Sequence, residues 1–517
     1  MKTVLCVLLV VAVLIHLCGC GLKPASELAE PAEEPPIEAP ETPQEPQEPP
    51  EPAAPVVQEP VPTEPAYEIT MTLDAGTGWD DPHLEEQVRL SFTNTSEDVW
   101  EQICLRDYAA SNLQEASSYT EESKYVPEGI QTVRDGNGET LTFQAKEDLS
   151  VVYVDLAAPL APGERTTLLI DYATAIPCGG TRLCWFPTGE GQDSELRVVC
   201  LSQAYPVLAQ YLEDGWNEAP YFTDGECFFS PCGSYQVTLN LPGSYAVVST
   251  GEEETEESGV WRLSAENVRD FAIIACNAFK VETAQVGDIT INSWYYDGRE
   301  LDRQQGTVSL QAAVDAVTAF TEAWGSYPYA ELDVVQAAYN QGGMEYPGMV
   351  RISDMLAYDL EEDEEKLRLD VAHEVAHQWF YAVVGNDQYR EAWLDESFAV
   401  YGELVYLEAL GATESELAGR VAEKEGELME QYINLSYGDY ETYASYVQAM
   451  YKTGCVFLWE LREAMGKENF DALLRSWYED HPFAEVTTAE FRAAVEAASG
   501  GDAAVAALLD QYLKADS

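Results

Sequence analysis

Two histidines and two glutamates are spaced so that together they could form a catalytic zinc site. His373 and His377 are four residues apart, with Glu374 between them, and eighteen residues separate His377 from Glu396. Side chains four apart share one face of a helix, so both rings can reach one metal ion. Three protein ligands leave one position open, as catalytic zinc sites do. The pattern predicts one Zn²⁺ bound by His373, His377 and Glu396, with Glu374 accepting the proton of a metal-bound water.

The surroundings of the two histidines favour a buried site over a solvated helix face. The chain has only five histidines, and the flanking residues are apolar: Leu369, Val371, Val375, Ala376, Trp379 and Phe380. A buried His pair needs partners that offset its desolvation, and a metal supplies them. Glu403 lies seven residues after Glu396, two turns along one helix face. It could hydrogen-bond a ligand histidine or form a salt bridge instead.

The N-terminal residues are typical of an export signal. Lys2 precedes an apolar run from Val4 to Leu17, which is too short for a comfortable membrane span. The run ends in Leu17-Cys18-Gly19-Cys20, which resembles the lipobox of bacterial lipoproteins. That resemblance implies a signal segment at 1–20 and a lipid on Cys20, which would anchor the protein to the outer face of the cell membrane. Ordinary secretory cleavage is the alternative.

The segment that follows the signal, and the net charge of the chain, indicate which binding partners to expect. Residues 24–65 contain fourteen Pro and eleven Glu, so we expect an extended, disordered tether over 21–66. The formal net charge of −65 makes nucleic acid and anionic lipid surfaces poor partners.

Eleven cysteines are present, and export would permit disulfides. The sequence does not give the pairing. Cys178 and Cys184 are close in sequence, as are Cys227 and Cys232. Free thiols or a second zinc site are the alternatives.

The predicted secondary structure changes along the chain, from strands before residue 283 to mainly helices after it. Short β-branched or alternating runs, separated by Gly, Pro and Asn, predict an N-terminal antiparallel β saddle or sandwich at 67–282. These runs are 67–73, 88–92, 150–154, 166–170 and 235–241. The acidic run Glu252–Glu257 is predicted as a solvated hairpin tip.

Helical patterns dominate from residue 283 and predict a mixed α/β domain at 283–517. One strand is predicted at 332–337. Helices are predicted at 306–323, 367–384, 392–410, 414–432, 445–465, 470–480 and 488–498. The acidic residues 361–365 would begin the helix that carries the zinc motif. The predicted fold class is therefore α+β and multidomain.

Four blocks, in this order, resemble the gluzincin aminopeptidase family, which includes aminopeptidase N and leukotriene hydrolase. They are Gly342-Gly343-Met344-Glu345-Tyr346-Pro347, His373-Glu374-x-x-His377-Gln378-Trp379, Trp393-Leu394-Asp395-Glu396 and Tyr451-Lys452-Thr453-Gly454. Tyr346 stands where the family has Asn, and Lys452-Thr453 alters the family's Tyr-x-Lys-Gly order. The resemblance covers most of 67–500. It implies a thermolysin-like catalytic domain, with no room after it for the large helical C-terminal domain of long members.

The resemblance also implies roles for residues outside the zinc motif. Its substrate-binding set is Gly342, Gly343, Met344, Glu345 and Gln203. The Gly pair would let a substrate backbone approach a strand edge, and Glu345 would bind the α-ammonium of the substrate. Gln203 is the nearest candidate for a second amine anchor. Tyr451 would donate a hydrogen bond to the developing oxyanion.

The sequence therefore predicts a zinc-dependent aminopeptidase with one Zn²⁺ per chain, acting on peptides with a free N-terminus. Two alternatives remain. One is a zinc endopeptidase of unusual specificity, because the second amine anchor is not evident. The other is a weakly active surface protein that binds peptides on the same scaffold. The intact ligands and Glu374 favour an enzyme.

Overall fold

The structure is a computed structural model, and it describes residues 64–75, 82–119, 128–187, 197–222, 225, 228–257, 259–339, 342–354, 358–425 and 431–515. The signal segment, Cys20, Cys227 and nearly all of the predicted tether lie outside the described residues. Within the described ranges, no helix combines the length and the apolar character that a membrane span requires.

The strands of the described residues fall into an N-terminal group and a later group. The first group is β1 (Ala66–Asp74), β2 (His83–Thr93), β3 (Trp100–Arg106), β4 (Gly129–Asp135), β5 (Thr140–Leu141), β6 (Phe143–Ala145), β7 (Val151–Leu160), β8 (Arg165–Ala175), β9 (Leu183–Pro187), β10 (Arg197–Ser202), β11 (Val207–Leu208), β12 (Tyr211–Leu212), β13 (Gly215–Trp216), β14 (Gly233–Asn240), β15 (Ala246–Ser249), β16 (Glu252–Glu257), β17 (Val260–Val268) and β18 (Ala272–Cys276). The second is β19 (Phe279–Val286), β20 (Ile289–Tyr296), β21 (Glu331–Ala337), β22 (Gly343–Met344) and β23 (Met349–Ser353).

Alternation along β1 shows why the N-terminal sheet forms. Tyr67, Ile69 and Met71 are buried, whereas Glu68 and Thr70 point to solvent, as a strand with one covered face requires. The strand belongs to an eight-stranded sheet in the order β16-β17-β14-β1-β2-β8-β4-β5. The β1–β14 pair is parallel, and the other pairs of this sheet are antiparallel.

The prediction of a hairpin tip at Glu252–Glu257 was wrong, because these residues form β16, the edge strand of that sheet. They pair with β17 in antiparallel register. A charged strand suits an edge, because like charges discourage pairing with another chain.

A smaller four-stranded sheet, in the order β15-β18-β10-β9, forms a second layer. All five residues of β18 are buried. The side chains of this sheet share a core cluster with Met344, Tyr346 and Met349 of the later part of the chain. This sheet therefore lies directly behind the segment that the sequence assigns to substrate binding.

A five-stranded mixed sheet begins the later part, in the order β19-β20-β21-β23-β22. Strand β21 is parallel to both β20 and β23, and β22 is antiparallel to β23 at the sheet edge. The predicted strand at 332–337 is β21. The domain boundary at 282/283 stays a prediction, and β19 runs across it.

The helices of the described residues are α1 (Tyr108–Tyr119), α2 (Glu300–Ala323), α3 (Glu364–Ala376), α4 (Trp393–Ala409), α5 (Glu414–Glu425), α6 (Tyr443–Gln448), α7 (Gly454–Met465), α8 (Lys467–Asp480), α9 (Thr488–Ala498) and α10 (Ala503–Tyr512). Helices α1 and α10 were not predicted. The fold class is confirmed: antiparallel sheets come first, and a mixed α/β part with helices follows.

The helix that carries the zinc motif ends earlier than predicted. We expected it to run to residue 384, but α3 ends at Ala376. Tyr381 has φ 130, which no helix accommodates. The chain instead folds back on itself, with the Ala382 amide donating to the His377 carbonyl at 2.9 Å and the Val384 amide to the Trp379 carbonyl at 3.0 Å.

The helix predicted at 445–465 is interrupted. Residues Ala449–Thr453 form a π-helical turn between α6 and α7. Such turns are rare overall, and those that occur are often located at functional sites. Tyr451 lies in the middle of this one.

Candidate metal centre and active site

The three predicted metal ligands converge on one point. Helix α3 carries His373 and His377, and α4 carries Glu396. The two Nε2 atoms are 3.3 Å apart, and Glu396 Oε2 lies 3.3 Å from Nε2 of His373 and 3.7 Å from Nε2 of His377. The side chains of His373, His377 and Glu396 are 12%, 1% and 5% exposed. The arrangement is that of a shared ligand set.

The chemistry of this donor set fits zinc. Two imidazoles and one carboxylate, with a fourth position free for water, are the ligands of catalytic zinc. Glu396 Oε2 is buried and makes no hydrogen bond within the described residues, so it is oriented for a cation. Burial alone would lower the pKa of His373, but the neighbouring Glu396 and Glu403 carboxylates raise it well above its usual value. The site therefore favours positive charge.

Each histidine has a carboxylate on its other ring nitrogen. His373 Nδ1 lies 3.2 Å from Glu403 Oε1, which corresponds to the first of the two alternatives that the sequence left open for Glu403. His377 Nδ1 lies 2.5 Å from Asp395 Oδ1. Carboxylates in this position orient a ligand ring and raise its basicity. We did not predict Asp395, although it directly precedes Glu396 in the sequence.

Glu374 lies beside the metal ligands. Donor atoms of Glu374, Glu345 and His377 all lie within 4.8 Å of one another. Burial raises the pKa of Glu374 to about 7, although the two histidines of the motif lower it. A carboxylate beside the metal ligands can accept a proton from a bound water and return it to a leaving group.

A π-helical turn places Tyr451 against the ligands. Its hydroxyl donates a hydrogen bond to Glu396 Oε1. Its ring is stacked near that of His373, with 6.0 Å between the centroids. The turn lies close to α4 because Gly454 has no side chain: a Cβ there would lie 1.8 Å from Ser397 Oγ. Glycine at position 454 therefore allows the π-helical turn to pack closely against α4.

The predicted substrate segment is an edge strand beside Glu374. Among the described residues, strand β22, Gly343–Met344, pairs with β23 alone, and its other edge has no strand partner there. An open edge can bind an extended peptide by main-chain hydrogen bonds. A Cβ on Gly343 would lie 2.4 Å from Glu374 Oε1, whereas one on Gly342 would meet nothing closer than 3.9 Å. Glycine at 343 is therefore what allows the strand to approach the proposed base.

Gln203 directly follows β10, whereas the other predicted substrate residues lie in or beside β22. It has φ 52 and lines a small cavity with Arg269, Asp270, Tyr381 and Asn386. Neither side-chain polar atom of Gln203 makes a hydrogen bond within the described residues. Glu345 does not line this cavity. The role of Gln203 as a second amine anchor stays a prediction.

The fold and the site define a class: metallopeptidases with a His-Glu-x-x-His helix and a glutamate from the next helix as third ligand. Comparison with protein families agrees with this class. The sequence model of the family described as Peptidase family M1 domain matches residues 308–512. Over these residues the chain is similar to peptidase family M1, a gluzincin family.

Related proteins and solved structures agree with this assignment. Leucine aminopeptidase 2 of Candida albicans is 26% identical over 390 residues, which are 69% of this chain and 57% of that protein. Aminopeptidase N of Rattus norvegicus is 26% identical over 203 residues, 35% of this chain and 20% of that protein. The chain thus spans little more than half the length of the first relative and a fifth of the second.

The fold is that of solved M1 peptidases. The crystal structure of an M1 zinc metallopeptidase mutant from Deinococcus radiodurans has a TM-score of 0.59 and 19% identity, covering 87% of this chain and 95% of that one. The same enzyme mutant bound to a Tyr-Ser-Ala substrate has a TM-score of 0.59 and 20% identity, covering 87% of this chain and 93% of that one. At this identity the likeness shows the fold.

Proposed function

We propose that the protein is a zinc-dependent aminopeptidase that releases N-terminal residues from peptides. The observation that carries the proposal is the 4.8 Å grouping of Glu345, Glu374 and His377 donor atoms. In an N-terminal residue, the α-amine and the scissile carbonyl carbon are separated by two bonds of about 1.5 Å each. An ammonium bound at Glu345 therefore places that carbonyl at the metal ligands.

The residues divide the reaction among them. Zn²⁺ held by His373, His377 and Glu396 would acidify a bound water and polarise the scissile carbonyl. Glu374 accepts a proton from the attacking water and passes it to the leaving amine nitrogen. The Tyr451 hydroxyl donates to the oxygen on which negative charge develops.

Two further features select the substrate. The open edge of β22 binds the peptide backbone, and Gly343 lets it come close to Glu374. Glu345 is 5% exposed, so a charge-assisted hydrogen bond from an ammonium compensates its burial. An acetylated N-terminus lacks that charge and cannot form this charge-assisted hydrogen bond, a loss on the order of 1.5–3 kcal/mol.

The experiment that tests this proposal compares free and N-acetylated forms of one peptide. We expect kcat/KM to be at least about tenfold higher for the free amine. Glu345→Ala should erase most of this preference, whereas Glu362→Ala, which removes an exposed carboxylate, should preserve it. Mass spectrometry of the products should show cuts that proceed from the N-terminus.

Other outcomes of this experiment would replace the proposal. Equal cleavage of both peptides, with internal cuts, would identify an endopeptidase. Peptide binding to the zinc-loaded protein without any turnover would identify a binding protein on this scaffold.

We also propose that a lipid on Cys20 anchors the protein to the outer face of the cell membrane. The support is the apolar run that ends in Leu17-Cys18-Gly19-Cys20. A Cys20→Ser variant should lose the lipid mass and be released from membranes. Identical processing and membrane association of this variant and the parent would exclude a lipoprotein.

A further inference from the structure

Cys184 and Cys200 face each other across two neighbouring strands. Strands β9 and β10 are antiparallel, and their register places Cys184 directly opposite Cys200. Directly opposed residues of such a pair have Cα atoms about 4.5 or 5.5 Å apart. Both separations lie within the range of disulfides, about 4.4–6.8 Å. A bond between the two sulfurs therefore needs no movement of the strands.

The two side chains already interact. They are thiols in the structure, they are 0% and 1% exposed, and they contact each other and the Arg351 guanidinium. The hydrogen bond with the Cys184 thiol, and then Arg351, lower the pKa of Cys200 to about 7 against the effect of burial. Cys200 is thus the better nucleophile of the pair, because the thiolate is the reactive form.

The neighbouring cysteine is less well placed. Cys276 lies in the same core cluster and is also buried. Its register partner on β10 is Val198, and Cys200 is opposite Ile274. Cys276 therefore lies diagonal to Cys200, where neighbours are about 7–8 Å apart. The geometry selects Cys184 as the partner.

We propose that Cys184 and Cys200 form a cross-strand disulfide that fastens β9 to β10. The Cys200 thiolate attacks one sulfur of a disulfide oxidant, such as glutathione disulfide or a disulfide-bonded oxidoreductase. Cys184 then displaces that sulfur and forms the Cys184–Cys200 bond. The oxidant's S–S bond breaks, and its two sulfurs take up the two electrons and two protons that the protein thiols lose.

The bond lies one layer behind the substrate edge. Cys184 and Cys200 share their core cluster with Met344 and Tyr346, the residues on either side of Glu345. Arg351, which contacts both thiols, donates to the Thr181 carbonyl at 2.7 Å and lies opposite Met344 in the β22–β23 register. Fastening β9 to β10 therefore stabilises the wall against which β22 is held.

The chemical test uses the full chain, folded either in a glutathione redox buffer or in excess dithiothreitol. Free thiols are alkylated under denaturing conditions, and the peptides are mapped by mass spectrometry. We expect a peptide pair joined through Cys184 and Cys200 only in the glutathione sample, lighter by two hydrogens than the separate peptides. Cys276→Ser should keep this linked pair, and Cys184→Ser should lose it.

Two results would overturn the proposal. One is full alkylation of Cys184 and Cys200 after folding in the glutathione buffer. The other is a bond between Cys200 and Cys276 in the parent protein.

A kinetic measurement tests the effect on substrate binding, and this effect rests on the proposed aminopeptidase function. The parent folded in the presence of a phosphine, so that Cys184 and Cys200 stay reduced, should have a KM for a free-amine peptide roughly threefold or more above that of the parent folded in the glutathione buffer, with kcat and zinc content unchanged. A Cys184→Ser/Cys200→Ser variant should have the same KM after both treatments. An unchanged KM would show that the disulfide does not influence substrate binding. A protein that contains the Cys184–Cys200 disulfide but has no peptidase activity would contradict the proposed function and not the disulfide.

Discussion

The Asp395 carboxylate lies 2.5 Å from His377 Nδ1, and both side chains are 1% exposed. Gln388 Nε2 donates to the other Asp395 oxygen at 2.8 Å, which fixes the carboxylate. Because Nδ1 of His377 faces Asp395, Nε2 is left to face His373 and Glu396. Two neighbours in sequence, Asp395 and Glu396, thus act on the same metal site from opposite sides of one imidazole.

The first prediction concerns this contact. Asp395→Ala should weaken zinc binding by about 10–100-fold, because His377 loses the partner that orients its ring. Asp395→Asn keeps an acceptor oxygen without the charge, and its effect should be smaller. The measurement is zinc transfer to a chelator of known affinity. Unchanged zinc affinity in Asp395→Ala would show that the contact does not support the ligand.

Glu403 provides the matched comparison, since it holds His373 in the same way at 3.2 Å. Glu403→Ala should also weaken zinc binding. The effect should be smaller than that of Asp395→Ala, because Glu403 is farther from its histidine and more exposed.

The second prediction uses the glycine pair. Gly343→Ala should lower kcat by about tenfold or more, because the new methyl group would lie 2.4 Å from the Glu374 carboxylate and displace it. Gly342→Ala is the matched control: its nearest neighbour is 3.9 Å away, so activity should stay close to that of the parent. Equal activity of both variants would mean that Glu374 does not need its present position. Zinc content should be unchanged in both.

The third prediction separates the base from the ligands. Glu374→Gln keeps the size of the side chain and all three ligands but cannot accept a proton. Zinc should remain bound, and turnover should fall by about 10²–10⁴-fold. The check is zinc content together with kcat on the same preparation. Near-normal turnover would exclude Glu374 as the proton carrier.

The fourth prediction concerns Tyr451. Tyr451→Phe removes only the hydroxyl that contacts Glu396, so zinc should be retained. Loss of an oxyanion donor should lower kcat by about 10²–10³-fold. A change in KM alone would assign Tyr451 to substrate binding rather than to the chemical step.

The sequence could predict the parts of this molecule that depend on local periodicity. The spacing of His373, His377 and Glu396 placed them on two helices, and the alternation around Ile69 indicated a strand. Helix α9 was predicted with its observed bounds, Thr488–Ala498. In the structure, Thr487 and Glu490 form a capping box at its start, a signal contained within one turn. Each of these helices and strands depends on residues that are close to one another in the sequence.

Features that depend on distant contacts could not be predicted. The end of α3 depends on a turn in which Tyr381 has a left-handed backbone, and no local residue type indicates this. The Cys184–Cys200 register depends on strand pairing, whereas spacing alone suggested Cys178 and Cys184. The role of Asp395 required knowing which way its side chain points from the first turn of α4.

The last prediction concerns two buried acidic residues of the N-terminal part, Glu86 in β2 and Asp107 directly after β3. Glu86 is 3% exposed, and neither of its carboxylate oxygens makes a hydrogen bond within the described residues. The Asp107 carboxylate lies close enough to repel a negative charge on Glu86. Asp107 accepts a hydrogen bond from the Tyr172 hydroxyl at 2.7 Å. Burial, and then Asp107, raise the pKa of Glu86 well above its usual value. Burial raises the pKa of Asp107 to about 6.

The sign of the pH dependence follows from these shifts. A carboxyl whose pKa is higher in the folded state binds more protons there, so the free energy of unfolding falls as pH rises from about 4 through the folded pKa. Glu86→Gln is neutral at every pH and escapes this loss. Its urea midpoint should match that of the parent near pH 4 and exceed it increasingly towards pH 8. The pKa of Asp107 is raised by roughly two units, which corresponds to a loss of about 3 kcal/mol at most in the free energy of unfolding at high pH. Asp107→Asn should escape that loss. Glu85→Gln, on the exposed face of the same strand, should follow the parent at all pH values. A constant difference between Glu86→Gln and the parent would show that Glu86 does not titrate with a raised pKa in the folded protein.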